Sequence, residues 1–254
     1  MAGTVCWHKE PRMGKFFFKA DERVGDKVYL TGAVAHHMLK VLRFRVGEQV
    51  VLCDGKCTDY AARLEEIIAK PPSARFALLS KSPPHTEPPI NLTLYQGIPK
   101  GDKMDWIIEK CIEVGICKIV PVCTSRSVVK IKDAAKRTER YSRIAESAAA
   151  QSMRGILPIV TPPLSFGDAL ASTDSECLHL AAYENERDRS IKSILSTMPP
   201  KPISLWIGPE GGFEDNEIKQ LTEKNAIPIT LGPRILRTET AGIVALSHIL
   251  CIWG

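Results

Sequence analysis

The sequence predicts an α/β protein: a mostly parallel sheet with helices on both faces, preceded by a small N-terminal β-barrel. Three observations predict this arrangement. Roughly the first 70 residues hold short β-rich runs separated by turn signals, and two proline-rich stretches follow them. After Pro89, strand-like and helix-like segments alternate to residue 252. Such alternation is typical of a mostly parallel sheet that helices cover on both faces.

The N-terminal strands are predicted where β-branched and aromatic residues cluster between turn residues. After the first strand, apolar residues recur over residues 33–42 with the spacing of one short helix. Asp54-Gly55 is a sequence typical of a hairpin turn. The three predicted strands cover residues 28–30, 49–52 and 60–64.

Two proline-rich stretches follow the β-rich part of the chain. Residues 70–73 and 82–89 together hold six of the 18 prolines. Proline pairs do not fit inside a helix or a central strand, so we interpret both stretches as connectors. We therefore predict a boundary here, with a first domain over residues 1–74 and a second over residues 75–254.

The second domain is predicted from helices with one apolar stripe and from short apolar runs between them. The helix over residues 102–114 has its apolar residues on one stripe and ends at Gly115. We predict further helices over residues 133–150, 215–224 and 240–252, and strands over residues 90–96, 116–122, 177–182, 203–207 and 227–231.

Composition sets broad limits on the class of protein. Hydrophobic residues at 44% and charged residues at 25% are ordinary for a globular domain. The net charge of +5 fits an acidic partner such as nucleic acid, although many enzymes share it. No apolar segment approaches the ~20 residues of a membrane span, and the first residues do not resemble a signal peptide. We predict a cytoplasmic protein that does not enter the membrane.

The eight cysteines raise the possibility of zinc or disulfides. None forms a C-x-x-C pair, and no histidine lies at ligand spacing from a cysteine pair. Most of them have apolar neighbours in the sequence, where thiols behave as small hydrophobic groups. We predict buried free thiols and no metal.

The first of two glycine loops follows the strand predicted over residues 203–207. It reads Gly208-Pro209-Glu210-Gly211-Gly212 and leads into a helix, a position where open α/β sheets bind ligands. The loop has neither the P-loop sequence nor the spacing of a dinucleotide-binding loop. Glu210 would repel a phosphate, and three acidic residues between 214 and 217 already satisfy the dipole of the next helix. We therefore predict that this loop does not hold a phosphate.

A second glycine loop, Gly232-Pro233-Arg234, follows the strand predicted over residues 227–231. Side by side, the two loops would form a slot of backbone amides and carbonyls that suits a flat, uncharged ring such as adenine. The alternative is that the glycines only make two tight turns needed for packing, and glycine content alone leaves both possibilities open. The apolar walls of the slot would be Ile207, Leu231, Ile235 and Leu236.

Both loops lie within longer motifs. Residues 207–213 read I-G-P-E-G-G-F, and residues 231–241 read L-G-P-R-I-L-R-T-E-T-A. These motifs closely resemble those of the RsmE-type 16S ribosomal RNA methyltransferases of the SPOUT class. The resemblance covers nearly the whole chain, with further similar segments at residues 37–43, 96–105, 109–115, 124–127 and 151–155.

This resemblance implies S-adenosylmethionine-dependent methylation of N3 of a uridine in 16S ribosomal RNA of the small subunit. It also implies a SPOUT-type trefoil knot in the C-terminal domain, a PUA-like RNA-binding fold for the N-terminal β-barrel, and a homodimer. The cofactor would lie against three loops. Their cofactor-binding residues would be Ala182, Ile207, Gly208, Pro209, Glu210, Gly211, Gly212, Leu231, Gly232, Ile235, Leu236, Thr240 and Ala241.

The residues implied for catalysis are Arg237 and Glu239. Arg237 would stabilise the negative charge that develops on the uracil ring, and Glu239 would hold the loop or accept the N3 proton. The alternative for this pair is a surface salt bridge between the two side chains. The RNA would be contacted by cations of both domains, namely Arg12, Lys15, Arg43, Arg45, Arg126 and Arg154.

The chain departs from the family pattern at two positions. Ala150 stands where the family has glutamate, and Lys15 stands where it has arginine, which exchanges a bidentate phosphate-binding group for a point charge. Two alternatives therefore remain: a SPOUT methyltransferase that acts on tRNA or another ribosomal RNA site, and a non-catalytic RNA-binding factor of the same fold. His36-His37 could be taken for a catalytic pair, but the helical spacing predicts one buried and one exposed imidazole.

Overall fold

The structure is a computed structural model that describes residues 14–127 and 133–254. These residues form two compact units. The first runs to Glu87 and also contains Ala149–Leu157, and the second contains Pro88–Ala148 and Pro158–Gly254. The predicted boundary after residue 74 is wrong, because it falls inside a strand of the first unit's sheet, Pro72–Ser82.

The first unit is built on one six-stranded sheet. Its strands are β1 (Lys15–Phe17), β2 (Arg23–Val24), β3 (Lys27–Thr31), β4 (Gln49–Cys53), β5 (Asp59–Ala69) and β6 (Pro72–Ser82). The strand order is β1-β4-β5-β6-β3-β2. Neighbouring strands are antiparallel except β1 and β4, which are parallel. The three predicted N-terminal strands are confirmed as parts of β3, β4 and β5.

Apolar side chains at alternate strand positions form the core of this unit. Val28 and Leu30 of β3 are buried, and so are Val50 and Leu52 of β4. The period of two is that of a strand with one face toward a core. Asp54-Gly55 lies in the turn that joins β4 to β5, as predicted.

The proline-rich stretch at residues 70–73 is a tight hairpin rather than a linker. Ala69 and Pro72 are paired as the last residue of β5 and the first residue of β6, so that Lys70-Pro71 is the two-residue turn. Proline can stand at the first residue of a strand, because the ladder does not need its missing N–H there.

The helix predicted over residues 33–42 begins as α1 (Gly32–His36) and continues as a π-helical turn over His37–Val41. In that turn the N–H of Leu42 donates to the carbonyl of His37 at 3.0 Å. Both histidines are exposed, so the prediction of one buried imidazole is wrong. Ala35 and Met38 occupy the buried side of the helix instead.

The second unit contains a seven-stranded sheet in which every paired strand is parallel. Its strands are β7 (Leu92–Gly97), β8 (Lys118–Cys123), β9 (Ile159–Val160), β10 (Leu164–Ser165), β11 (Leu178–Ala182), β12 (Ile203–Ile207) and β13 (Ile227–Ile229). The order is β10-β8-β7-β12-β11-β13, and β9 also pairs with β8. The predicted parallel α/β sheet is confirmed.

The helices of this unit alternate with its strands. They are α2 (Lys103–Val114), α3 (Ala134–Gln151), α4 (Phe166–Ala171), α5 (Ile191–Leu195), α6 (Asp215–Glu223) and α7 (Thr238–Trp253). The last three residues of α3 belong to the first unit. The sequence did not indicate α4, α5, β9 or β10, because two to six residues are too few to show a period. No helix within the described ranges is both long and apolar enough to cross a membrane.

Aromatic packing fixes one face of this sheet. Tyr95 of β7 stacks on Trp206 of β12 with ring centroids 4.2 Å apart, and Phe213 lies in the same cluster. Phe213 directly follows the first glycine loop, so that its burial anchors that loop to the core.

The cysteines that the structure describes are free, as predicted, but most are not buried. Cys53 and Cys111 are buried, whereas Cys57 and Cys251 are exposed and the others are half-buried. The prediction of burial is therefore wrong for most of them, since apolar neighbours along the chain do not decide which way a side chain points.

Candidate functional site

The candidate site lies at the carboxyl ends of three adjacent parallel strands, β11, β12 and β13. A cavity of about 510 Å³ is present there. Its walls come from the loops that follow these strands, from the start of α7 and from Lys103 at the start of α2. Loops meet at this edge because parallel strands all end on the same side. The slot predicted between two glycine loops corresponds to this cavity.

The glycines of the first loop allow segments of backbone to approach each other closely. A Cβ at Gly208 would lie 2.9 Å from the carbonyl carbon of Gly212. A Cβ at Gly97, the last residue of β7, would lie 2.6 Å from the backbone nitrogen of Pro209. Contacts this short would force the backbone to shift. The glycines are therefore needed for packing, and Gly208 and Gly212 also line the cavity, so the two interpretations do not exclude each other.

Gly212 is required for a second reason, its left-handed backbone with φ of +68°. A Cβ here would also lie 2.7 Å from Oε1 of Glu184, a cavity residue in the loop after β11. Glu184 was not among the predicted site residues, although it lies two residues after the end of β11.

A buried hydrogen-bond network joins β7, the first glycine loop and the start of α7. Nε2 of Gln96 donates to Oγ1 of Thr238 at 2.9 Å, and that hydroxyl donates to the carbonyl of Gly208 at 2.6 Å. Gln96 is fully buried, and Thr238 is 5% exposed. The network fixes the start of α7 against the first loop, because breaking these bonds would leave buried polar groups unpaired.

Arg237 and Glu239 both line the cavity but do not pair with each other. Arg237 is exposed, and no ion pair of its side chain is found within the described part of the chain. Glu239 instead lies near Lys103, with 3.8 Å between Oε2 and Nζ. The alternative of a salt bridge between Arg237 and Glu239 is therefore wrong.

Lys103 also contacts the first glycine loop. Its Nζ donates to Oε1 of Glu210 at 2.8 Å, and the N–H of Lys100 donates to the same oxygen at 3.1 Å. Burial by itself would raise the pKa of Glu210, but these hydrogen bonds outweigh it and hold the pKa below its usual value. The hydrogen bond to Glu210 raises the pKa of Lys103. Both groups are consequently charged at neutral pH.

Comparisons with known proteins decide the family. A family model described as RNA methyltransferase domain matches residues 86–250, and one described as RNA methyltransferase PUA domain matches residues 30–76. The ribosomal RNA small subunit methyltransferase E of Bacillus subtilis (strain 168) is 36% identical over 228 residues, which are 87% of this chain and 88% of that protein. The chain belongs to the ribosomal RNA small subunit methyltransferase E family.

Two solved structures are similar to this chain over nearly its full length. The ribosomal RNA small subunit methyltransferase E from Neisseria gonorrhoeae, bound to S-adenosyl methionine, is 36% identical with a TM-score of 0.87, covering 96% of this chain and 99% of that one. A putative methyltransferase from Legionella pneumophila, in complex with the same cofactor, is 30% identical with a TM-score of 0.84, covering 94% and 98%. The predicted PUA-like first domain and parallel α/β second domain are thereby confirmed.

Nearly all cofactor-binding residues implied by the family resemblance line the cavity. Thr240 is the exception: it lies in the first turn of α7, where its N–H donates to the carbonyl of Arg237 at 2.9 Å, and its neighbour Ala241 faces the cavity instead. Some cavity residues were not predicted from the sequence. Those that follow β11 could have been named from the predicted strand end, whereas the remaining ones required the fold. The cavity residues that the sequence did not indicate are Lys103, Tyr183, Glu184, Arg187, Ile229, Thr230, Arg234 and Thr238.

Three of the predicted RNA-contacting cations, Arg43, Arg45 and Arg126, are exposed. Nη1 of Arg126 donates to the carbonyl of Gly211, and the arginine stem covers that glycine, where a Cβ would lie 3.2 Å from Cδ of the arginine. The missing Cβ at Gly211 thus makes room for Arg126 beside the first glycine loop. Arg12 lies outside the described residues.

Lys15 is buried, so its prediction as an RNA contact is wrong. Its Nζ donates to both carboxylate oxygens of Asp59, at 2.6 and 2.8 Å, and to the carbonyl of Met153 at 2.9 Å. The side chain is 1% exposed, and all three of its N–H donors have partners inside the first unit. A lysine in this position compensates the half-buried carboxylate of Asp59 and cannot reach a phosphate.

Arg154 is also buried rather than available to RNA, and its prediction as an RNA contact is wrong. Its guanidinium forms an ion pair with Glu87, with 2.7 Å between Nη2 and Oε2, and the two side chains are 2% and 10% exposed. The same carboxylate accepts the N–H of Gly155 at 2.7 Å. Burial of a charge requires such a partner, which the sequence did not show.

We expect Gly97→Ala to lower the free energy of unfolding by about 1–3 kcal/mol, as overpacking of a tight contact does. The added Cβ would collide with the backbone nitrogen of Pro209, which cannot rotate away. Urea unfolding of the variant measures the effect. The matched control is Gly167→Ala in α4, where no atom lies within 4 Å of the added Cβ. Equal stability of the two variants would contradict this account of the loop.

Proposed function

We propose that the chain catalyses S-adenosylmethionine-dependent methylation of N3 of a uridine in 16S ribosomal RNA. One observation carries the proposal: the two family motifs line one cavity at the ends of three parallel strands, in a chain 36% identical to a ribosomal RNA small subunit methyltransferase E. The uridine and its N3 atom rest on the family resemblance.

The residues of the cavity fit S-adenosylmethionine. Its volume of about 510 Å³ is typical of a small-molecule site, for which roughly 300–1,000 Å³ is usual. The absent Cβ atoms at Gly208 and Gly212 let the first loop fold tightly, and both residues line the cavity. Apolar side chains offer walls for adenine, namely those of Ile207, Leu231, Ile235 and Leu236. The lining also contains three carboxylates and four cations, so its charge by itself does not select the ligand; they are Glu184, Glu210, Glu239, Lys103, Arg187, Arg234 and Arg237.

When bound, the cofactor supplies an electrophilic methyl group on a positive sulfonium, so the chain need not supply a nucleophile. The residues of the chain orient the uridine and move one proton. Positioning supplies much of the rate enhancement in reactions of this kind. Arg237, exposed at the cavity, is placed to stabilise the negative charge that the uracil ring gains. The Glu239 carboxylate accepts the N3 proton.

An exposed basic patch supports RNA binding by the first unit. The patch comprises His36, His37, Lys40, Arg43 and Arg45, all of which are exposed. Arg43 has a φ of +55°, and the next residue, Phe44, is 5% exposed. The chain reverses there so that Phe44 enters the core while the arginines on both sides face solvent. Phosphate contacts from such residues would position the RNA.

The family resemblance supplies the remaining parts of the proposal. The second unit would carry the trefoil knot, and the working form would be a homodimer. The protein would act in the cytoplasm, where ribosomal RNA is made in bacteria.

We expect Arg43→Ala and Arg45→Ala each to weaken RNA binding and to make its salt dependence shallower. The slope of log K against log salt concentration should fall by about 0.7–0.9 for each phosphate that the variant no longer neutralises. Fluorescence anisotropy with a 16S RNA fragment over a salt series measures the slope. Arg63→Ala, an exposed arginine on β5, is the control. An unchanged slope in the first two variants would remove the patch from the RNA interface.

Transfer of a tritiated methyl group tests the proposed function. Undermethylated small subunits, naked 16S RNA and tRNA are compared as acceptors, and we expect label in the ribosomal substrates at N3 of a uridine. Label in tRNA alone would establish the first alternative. Absence of cofactor binding at high micromolar concentration in calorimetry would favour the non-catalytic factor, which Ala150 keeps open.

A further inference from the structure

Lys103 stands between two carboxylates that belong to different parts of the cavity wall. Its Nζ donates to Oε1 of Glu210, in the loop after β12, at 2.8 Å. The same nitrogen lies 3.8 Å from Oε2 of Glu239, in the first turn of α7. Lys103 thus links α2 to the first glycine loop and to the start of α7, although its side chain is 39% exposed.

Among the described residues no hydrogen-bond donor is found for Oε2 of Glu239, and this oxygen has essentially no access to solvent. A buried carboxylate oxygen without a donor is costly, by about 1–3 kcal/mol or more for a charged group. Within the described residues, Lys103 is the cation that forms an ion pair with this oxygen. The distance of 3.8 Å exceeds a hydrogen bond of about 2.9 Å by roughly one ångström, so a small shift of the flexible lysine supplies the missing donor.

We propose that Lys103 is a positioning residue of the methyl transfer: it anchors Glu239 through Oε2 and leaves the other carboxylate oxygen, Oε1, to accept the N3 proton. The inference rests on the proposed function. In the step itself the N3–H bond breaks and its electron pair forms the bond from N3 to the methyl carbon. The methyl–sulfur bond of the bound sulfonium would break at the same time and leave its electron pair on sulfur, and the proton converts the Glu239 carboxylate to a carboxylic acid. Glu210 holds the lysine near Glu239 without taking part.

The test compares Lys103→Gln, Lys103→Arg and wild type in single-turnover methyl transfer to undermethylated small subunits, with calorimetric affinity for S-adenosylmethionine measured alongside. We expect Lys103→Gln to lower the rate at saturating cofactor and RNA by roughly 10- to 100-fold, the scale of a catalytic group misplaced by about one ångström. Its cofactor affinity should stay near that of wild type. Lys103→Arg should restore most of the rate, because it returns a positive charge to both carboxylates.

Lys110→Gln is the matched control. Lys110 lies on the same helix and binds two carboxylates, those of Glu109 at 2.7 Å and Glu113 at 2.8 Å, but it does not line the cavity. The rate of methyl transfer by Lys110→Gln should equal that of wild type.

A double variant shows whether Lys103 acts through Glu239. Glu239→Gln should lower the rate of methyl transfer by itself, and adding Lys103→Gln should lower it little further. The effects of two substitutions are not additive when one residue acts through the other. Four results would each overturn the inference. They are additive losses of rate in the double variant, a wild-type rate in Lys103→Gln, a rate in Lys103→Arg no higher than that in Lys103→Gln, and a cofactor affinity of Lys103→Gln that falls as far as its rate. Failure of wild type to methylate any RNA would instead overturn the proposed function, and the inference with it.

Discussion

Arg237→Ala is expected to lower the rate of methyl transfer roughly 10²- to 10³-fold, the range found when one stabilising donor is removed from a reacting site. The guanidinium lines the cavity, is exposed, and forms no ion pair with another described residue. Its charge is therefore available to a uracil ring that becomes negative. Arg237→Lys should retain part of the rate, since the charge remains.

Two measurements separate this role from a structural one. Single-turnover transfer gives the rate, and calorimetry gives the affinity for S-adenosylmethionine, which should change by no more than a few-fold. Arg143→Ala, an exposed arginine of α3, provides the control. If Arg237→Ala lowered the affinity for S-adenosylmethionine as much as the rate of methyl transfer, the role of Arg237 would instead be to hold the second glycine loop in place.

Arg154→Ala is expected to lower the free energy of unfolding by about 3–5 kcal/mol, because it leaves the buried Glu87 carboxylate without its cation. RNA affinity, measured where the variant is folded, should be unchanged, because the guanidinium is buried. Chemical denaturation measures the loss of stability. The control is the double variant Arg154→Met/Glu87→Gln, which removes both charges, keeps an acceptor oxygen for the Gly155 N–H, and should recover much of the stability. Equal losses in both variants would show that packing, not charge, dominates.

The same pair predicts a pH dependence. Burial alone would raise the pKa of Glu87, but the hydrogen bonds from Arg154, Gly155 and Ile156 outweigh it and hold the pKa below 4.5. A carboxylate whose pKa is lower in the folded state than in the unfolded state stabilises the protein at any pH above its unfolded-state pKa. That contribution is lost as the pH falls from the unfolded-state pKa through the folded-state pKa. We expect wild type to lose stability below about pH 4.5, and Glu87→Gln to lose less over the same range.

Local patterns were enough for much of the fold. The strands over residues 49–52 and 203–207 were predicted within one residue of β4 and β12. The apolar stripe of α2 and the turn at Asp54-Gly55 were predicted as well. These features are determined by neighbours a few positions apart. The boundary after residue 74 was wrong for the same reason, since a proline pair starts a strand or a linker depending on what lies beside it.

The sequence by itself determined the two glycine loops, their place after parallel strands and the family they belong to. Only the tertiary structure decided which charged side chains lie at the cavity and which are buried elsewhere. Lys15 and Arg154 were predicted as RNA-binding cations, but the fold buries them against Asp59 and Glu87. Lys103 was not singled out, yet the fold sets it between two carboxylates of the cavity. A glycine's role depends on its own backbone and adjoining strand, whereas a charge acts through partners that folding brings close from distant parts of the chain.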